Sequence, residues 1–195
     1  MKLGVVSDIH CNATGLEEAL RLMGDVDELI CLGDSVQHMR FSNEVIGLLR
    51  DRGARMVLGN HDIEYLSRVA DLPSQRGVVD DALVDWLRAQ PEQIEWDVCG
   101  KRVLMIHATP WTRDYVFPGS PEMRRFREVE ADFVLVGHTH AQVARRLGRA
   151  MVVNPGSTGH ASLGPEGLRL GCAVVDIASE EVQLHLYADQ PAGWT

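Results

Sequence analysis

Most histidines of this sequence, two aspartates and one asparagine lie directly after short apolar runs. Seven of these residues carry groups that bind divalent metal ions, and they are Asp8, His10, Asp34, Asn60, His107, His138 and His140. A catalytic centre with two metal ions needs neutral imidazoles, carboxylates and amides from several loops, with positions left open for water and substrate. The residue types and their placement therefore predict such a centre.

Spacing within two motifs adds a constraint. In Asp8-Ile9-His10 and in His138-Thr139-His140, an extended backbone would project the first and third side chains to the same side. Each pair is then expected to bind ions together. If Asp8 and Asp34 converged without a cation, two carboxylates about 4 Å apart would repel by about 4 kcal/mol at an effective dielectric of roughly 20. We therefore expect chelation of the ions to weaken folding.

Repeated strand, loop and helix units must position these groups. The predicted strands are Lys2 to Val6, Leu29 to Leu32 and Arg55 to Leu58. Helical spacing of apolar residues follows from Ala13, with Asn12 as its cap, and a second helix begins after Ser42. Such units require parallel strands with right-handed crossovers, and sites then lie at the carboxyl ends of the strands. The candidate ligands fall at that edge.

The second half of the chain is richer in strands. A helix is predicted over residues 78–90, a charged helix from Pro121 to Glu130, and a buried strand from Phe133 to Val136. Three hairpins are indicated, at 96–98 with 102–106, 143–147 with 150–153, and 173–177 with 182–186. This half is expected to be largely antiparallel. The whole order predicts two packed mixed sheets flanked by helices, in a single domain over residues 1–195.

Composition excludes several classes of protein. The 195 residues contain 28 acidic and 19 basic side chains, a formal net charge of −9, which disfavours extended nucleic-acid binding. No apolar run approaches the roughly 20 residues that cross a bilayer, and the N-terminal segment turns polar too early for a secretory leader. Four cysteines stand singly, which is typical of reduced thiols. We expect a cytoplasmic protein that does not bind membranes.

The order of the motifs resembles one family. The motifs are Asp8-Ile9-His10, Gly33-Asp34, Gly59-Asn60-His61-Asp62, a lone His107 and Gly137-His138-Thr139-His140. Together they resemble the calcineurin-like metallophosphoesterase superfamily, in particular small bacterial members of phosphodiesterase type that lack a cap domain. The resemblance implies an α/β fold, a four-layer α/β/β/α sandwich of two mixed β-sheets. It also implies that Asp8, His10 and His140 bind one metal ion, that Asn60, His107 and His138 bind the second, and that Asp34 bridges them.

The same resemblance implies an activity. It suggests a metal-dependent phosphoesterase that cleaves phosphodiesters or small nucleotide-like phosphate esters with a hydroxide activated by two divalent ions. Manganese is the expected metal, and iron, zinc or nickel would also suit the ligands. His61 would protonate the leaving group or stabilise the transition state. Protein phosphatases of the superfamily carry an aspartate where this chain has Gln37, which argues against a phosphoprotein substrate.

For several further residues, and for the function itself, the sequence allows more than one interpretation. His38 and His160 could contact substrate or be solvated loop histidines. The segment from Trp111 to Phe117, which includes Arg113, could stack a base, hold a second phosphate or form a packed loop. Two alternative functions are a non-catalytic metal-binding scaffold of the same fold, as in one retromer component, and a dinucleoside polyphosphate hydrolase. The sequence carries no signal for an oligomeric state.

Overall fold

The computed structural model describes residues 1–68, 78–164 and 167–189. Its helices are α1 (Ala13–Met23), α2 (Asn43–Asp51), α3 (Asn60–Arg68), α4 (Asp81–Arg88) and a 3-10 helix (Pro121–Glu128). Its strands are β1 (Lys2–Val6), β2 (Glu28–Cys31), β3 (Arg55–Met56), β4 (Gln93–Val98), β5 (Lys101–Ile106), β6 (Phe133–Leu135), β7 (Val143–Leu147), β8 (Ala150–Asn154), β9 (Ser162–Gly164), β10 (Gly167–Asp176) and β11 (Glu181–Ala188).

The strands form two mixed sheets. The first has the order β11-β10-β1-β2-β3, with β9 paired to β10, and the second has the order β4-β5-β6-β8-β7. Strands β1, β2 and β3 are parallel, as are β5, β6 and β8, while the remaining pairs are antiparallel. The predicted α/β fold with two mixed sheets is confirmed.

Three apolar clusters separate four layers. Alternate residues of β1 face opposite ways, so that Val6 packs with α1 and α2 whereas Leu3 and Val5 pack with the second sheet. A third cluster joins the far side of the second sheet to Phe126 and Met123 of the 3-10 helix. The order of layers is therefore helices, sheet, sheet and helix, as predicted, although the last layer is a single 3-10 helix.

Local signals explain the first crossovers. Strand β1 has the predicted bounds, and the predicted caps are present: Asn12 Oδ1 accepts the N–H of Gly15 at 2.8 Å, and Ser42 Oγ accepts the N–H of Val45 at 3.2 Å. Helix α1 ends at Gly24, whose φ of +63° is a left-handed conformation that glycine adopts without strain.

The second half differs from expectation in three ways. The helix predicted over 78–90 is confined to Asp81–Arg88, and the charged helix is a 3-10 helix that ends at Glu128. This half is largely antiparallel, as expected, but β5, β6 and β8 pair in parallel. The three predicted hairpins are confirmed, and the last is longer because β10 begins at Gly167.

Parallel strands of both sheets end at one edge of the sandwich. The chain leaves β1, β2, β3, β5 and β6 toward that edge, and the five candidate ligand motifs follow those strands directly. Within the described ranges, no helix combines the length and hydropathy that a membrane span requires.

Candidate functional site

Loops that follow five strands bring all seven predicted ligands into one pocket. Five of them are buried, namely Asp8, His10, Asp34, His107 and His138, whereas Asn60 and His140 are partly exposed. The site is therefore a recess, with its open side at Asn60 and His140.

One group of ligand atoms surrounds His140. Its Nε2 atom lies 3.2 Å from Nε2 of His10 and 3.3 Å from Oδ1 of Asp8. Ligand atoms that share one ion at bonds of about 2.1 Å lie roughly 3–3.5 Å apart, so these three atoms have the separations of a common coordination shell.

A second group surrounds His107. Its Nε2 atom lies 3.2 Å from Oδ1 of Asn60 and 3.3 Å from Oδ2 of Asp34, and a ring nitrogen of His138 lies within 4.8 Å of both His107 and Asp34. An oxygen of Asp34 also lies within 4.8 Å of a ring nitrogen of His10 in the first group. Asp34 thus lies between the two groups of ligand atoms, at the position of a ligand that would bridge two ions.

The residues present fit a pair of cations. Among the described residues, His138 Nε2 and Asp8 Oδ1 are buried without a hydrogen-bond partner, although His140 Nε2 lies 3.3 Å from Asp8 Oδ1. Buried polar atoms are normally paired, so orphaned atoms of this kind indicate an absent ligand. His107 Nδ1 donates to the carbonyl of Leu32 at 2.7 Å, which directs the lone pair of Nε2 toward the pocket.

The two ligand motifs are not extended, and the predicted backbone geometry is wrong. Asp8 and His10 have φ values of +53° and +47°, and His138 and His140 have values of +66° and +56°. Non-glycine residues seldom adopt this left-handed region, and such strain clusters at functional sites. As a result His138 points to the Asp34 group and His140 to the Asp8 group.

Two glycines of the motifs allow the backbone to approach the carboxylates. A Cβ atom on Gly59 would lie 2.1 Å from Oδ1 of Asp34, and one on Gly137 would lie 1.9 Å from Oγ of Ser7. Because Gly137 has no side chain, the N–H of His138 can donate to Asp8 Oδ2 at 3.0 Å. This hydrogen bond joins the loop of the first sheet to that of the second.

Asp62 supports the loops and does not face the pocket. Its Oδ1 atom accepts the N–H and the hydroxyl of Ser35 and the N–H of Val36, and its Oδ2 atom accepts the N–H of Gly59. Burial and the charge of Asp34 raise the pKa of Asp62 to about 6. These four contacts tie the loop after β2 to the loop after β3.

Within the pocket, the carboxylate of Asp34 and the imidazole of His107 each stabilise the charged form of the other. Burial favours a raised pKa for Asp34, but the hydrogen bond and charge of His107 outweigh it and lower that pKa to about 2. Burial opposes charge on His107 as well, yet Asp34 and Asp8 raise the pKa of His107 to about 9. Since an ion binds neutral imidazole, binding at His107 would release its proton.

Two histidines form a rim beside the pocket. His61 Nε2 lies 3.8 Å from Asp34 Oδ2, and the N–H of His61 donates to Asp34 Oδ1 at 2.8 Å. His38 stacks on His61 and pairs with Glu64. His38 therefore lies beside the pocket but outside the set of ligand atoms.

His160 lies on the other side of the rim. Its ring stacks on His10 with centroids 4.0 Å apart and planes at 13°, and its Nε2 atom is 2.7 Å from Nε2 of Gln37. His160 is exposed yet held by two contacts. It is therefore not a freely solvated loop histidine.

Trp111 and Arg113 lie apart from these histidines. Trp111 packs edge-on against Phe126, with the guanidinium of Arg125 over its ring, and Arg113 Nη2 pairs with Glu92 at 2.5 Å. Both also line a cavity that reaches Asn60 and His107. The segment is thus partly a packed loop and partly a wall of the site.

Sequence reasoning missed two contacts at this site. Tyr115 is 61% exposed and stacks on His138, with ring centroids 4.1 Å apart. Glu64, which pairs with His38, follows His61 by three residues on α3. Helical spacing could have placed Glu64 on the same face as His61, whereas no local pattern predicts the contact of Tyr115.

Comparison with known proteins gives a family match. Residues 1–180 match the family model of the calcineurin-like phosphoesterase superfamily domain. The chain is similar to the symmetrical bis(5'-nucleosyl)-tetraphosphatase of Paracidovorax citrulli, with 34% identity over 146 residues, 64% of this chain and 51% of that protein. The curated relatives it matches are longer, and the matches span 62%, 51% and 44% of their lengths.

Solved structures share the fold. A metallophosphoesterase from Sphaerobacter thermophilus superposes with a TM-score of 0.76 at 22% identity, over 96% of this chain and 89% of that one. Vps29 from Entamoeba histolytica, solved in complex with Zn²⁺, superposes with a TM-score of 0.59 at 18% identity, over 96% and 92% of the two chains. Both comparisons support the sandwich of two sheets.

Proposed function

This chain belongs to the calcineurin-like phosphoesterase superfamily, and on that premise we propose that it is a metal-dependent hydrolase of phosphodiesters or small nucleotide-like phosphate esters. The observation that carries the proposal is the separation of 3.2 Å between Nε2 of His10 and Nε2 of His140, with Oδ1 of Asp8 3.3 Å from the latter, which suits three ligands of one ion. The matching group around His107 supports a second ion.

Asp8, His10 and His140 would hold one divalent ion, and Asn60, His107 and His138 the other, with Asp34 shared. When bound, the ions would supply a water of lowered pKa as the nucleophile and positive charge for the phosphate oxygens. Manganese is our first expectation for both sites, because the ligands mix nitrogen with oxygen donors.

His61 is the proposed general acid. During hydrolysis a water would lose one proton to solvent and its oxygen would form a new bond to phosphorus, while the bond from phosphorus to the leaving oxygen breaks. The leaving oxygen would take up a proton from His61 Nε2, and solvent would then return a proton to His61. The hydrogen bond from the N–H of His61 to Asp34 fixes the start of α3 beside the ligands. His61 can therefore meet the leaving oxygen without further backbone movement.

Hydrolysis of bis(4-nitrophenyl) phosphate by the manganese-loaded protein tests this proposal. We expect turnover by the unmodified chain and a fall in kcat of about 10²–10⁴-fold for His61→Ala with unchanged metal content. His185→Ala, on β11, is the matched control. A loaded protein without turnover of any phosphate ester would overturn the proposal.

Dinucleoside polyphosphate hydrolysis is a second candidate, because relatives at 34% and 32% identity are named symmetrical bis(5'-nucleosyl)-tetraphosphatases. Product analysis with a dinucleoside tetraphosphate would distinguish it from phosphodiester hydrolysis. A scaffold function is supported less well, since a scaffold that binds metal would use the same ligands but would not need His61.

A further inference from the structure

A cavity of about 330 Å³ opens beside Asn60 and His107, between the start of α3 and the loop that follows β5. This volume is at the lower end of the range of roughly 300–1,000 Å³ that small-molecule sites occupy. Its walls are largely apolar, and the side chains that form them include Leu58, Ile63, Ile106, Pro110 and Trp111.

The charges at the mouth of the cavity cancel. Among the described residues that line it, Arg113 is the only lysine or arginine and Glu92 is the only carboxylate. These two side chains form an ion pair with 2.5 Å between Nη2 and Oε2. The cavity therefore offers no uncompensated cation to an additional phosphate group.

The position of the cavity decides what can occupy it. Asn60 and His107 line the cavity and also face the site proposed for the scissile phosphate. A substrate group in the cavity would therefore be the one bonded directly to that phosphate. In a phosphodiester that neighbour is an organic group, whereas in a tetraphosphate cleaved at its centre the neighbour on either side is another phosphate. An apolar wall with compensated charge suits the organic group.

Building on the proposed function, we propose that this cavity binds the uncharged organic group of a phosphodiester, of aryl or nucleoside size, next to the scissile phosphate. Ile63 and Trp111 supply the apolar contact. The cavity would thereby favour diesters with a large planar group over dinucleoside polyphosphates.

Inhibition constants of two phosphonates test the assignment. Against bis(4-nitrophenyl) phosphate hydrolysis, we expect phenylphosphonate to inhibit the unmodified protein about tenfold or more tightly than methylphosphonate. Ile63→Asp should bring this ratio close to one, because its carboxylate repels both anions and removes the apolar contact that only phenylphosphonate makes. Trp111→Leu should lower the ratio as well, and this variant replaces Ile63→Asp in the test if Ile63→Asp fails to fold.

A matched control lies in a second cavity. Leu163 is 83% exposed and lines a cavity of about 390 Å³ beside His140. Leu163→Asp should keep the tenfold ratio, and a loss there would overturn the assignment. Equal inhibition of the unmodified protein by both phosphonates would overturn it too, whereas a protein inactive on all esters would refute the proposed function itself.

Discussion

His38 packs against His61, with ring centroids 3.8 Å apart and planes tilted by 38°. His61 Nδ1 is buried and finds no hydrogen-bond partner in the described part of the chain. Gln37, at the position where protein phosphatases of the superfamily carry an orienting aspartate, contacts His160 instead. The ring of His61 is therefore held by packing against His38, which Glu64 anchors.

His38→Ala should lower kcat about tenfold because the ring of His61 loses its support, a coupling of about 1.4 kcal/mol. KM, metal content and Tm should stay unchanged. His38→Phe should restore much of the activity, since it keeps an aromatic ring in place. Steady-state kinetics on bis(4-nitrophenyl) phosphate provide the measurement.

The double variant separates positioning from direct contact with substrate. If His38 acts through His61, then His38→Ala should have no further effect on kcat in a His61→Ala background. A tenfold loss in both backgrounds would show that His38 itself meets the substrate.

Removal of metal ions should destabilise the protein, because, of the side chains that the structure describes, only the imidazolium of His107 then offsets the charges of Asp8 and Asp34. An ion at about 100 times its Kd stabilises by about 2.7 kcal/mol, which raises Tm by about 5–10 °C for a chain of this size. Thermal unfolding with Mn²⁺ and with chelator measures the shift. Asp34→Asn should abolish this shift in Tm, whereas Asp85→Asn, an exposed change on α4, should retain it. An equal Tm of the unmodified protein with Mn²⁺ and with chelator would contradict the metal site.

Asp62→Asn should destabilise the fold by about 2–4 kcal/mol. The amide can satisfy the donors of Ser35 and Val36 only by turning its NH2 group toward the N–H of Gly59, so that two donors face each other in a buried place. Urea unfolding at pH 7 checks the value, with Asp85→Asn as a surface control. Equal stability of the two variants would mean that the Asp62 contacts contribute little.

Asp132 should make stability depend on acid pH. Hydrogen bonds from the side chain of Arg149 and the N–H of Arg102 lower the pKa of Asp132 to about 2. Because the folded pKa lies below the unfolded value of about 3.9, this stabilisation is complete above that value and is lost as pH falls toward 2. Asp132→Asn should cost about 1–2 kcal/mol at pH 7 and almost nothing near pH 2.

Urea unfolding of Asp132→Asn from pH 7 down to pH 2 follows this loss. Asp97→Asn, an exposed carboxylate on β4 that is 3.7 Å from Arg102, is the control and should change stability by less than about 0.5 kcal/mol at every pH. If the loss of unfolding free energy in Asp132→Asn were the same from pH 7 to pH 2, the ionised form of Asp132 would not be the form that stabilises the fold.

The ends of the parallel strands could be predicted from sequence because they carry two coincident local signals. In β1, the apolar run Lys2–Val6 stops at a polar cluster, and the caps Asn12 and Ser42 then mark the next helices. Both signals are set by a few neighbouring residues. The sequence therefore predicts that the candidate ligands lie at one edge of the sheet.

Conformations that depend on contacts between residues far apart in the sequence could not be predicted. The left-handed backbone of Asp8 and His138 depends on the hydrogen bond between them, which spans 130 residues. The contact of Tyr115 with His138 likewise has no periodic signature. The parallel pairing of β6 with β8 was missed because neither strand shows which neighbour it will meet.

The ligand loops also join the two sheets. The N–H of His138 and the ring of His107, both from the second sheet, donate to Asp8 and to the carbonyl of Leu32 in the first. Separation of the sandwich at this edge must break both bonds and scatter the ligands. Opening of the two halves at this edge would therefore also release any ion held there, and such an ion would protect this edge from proteolysis and amide exchange.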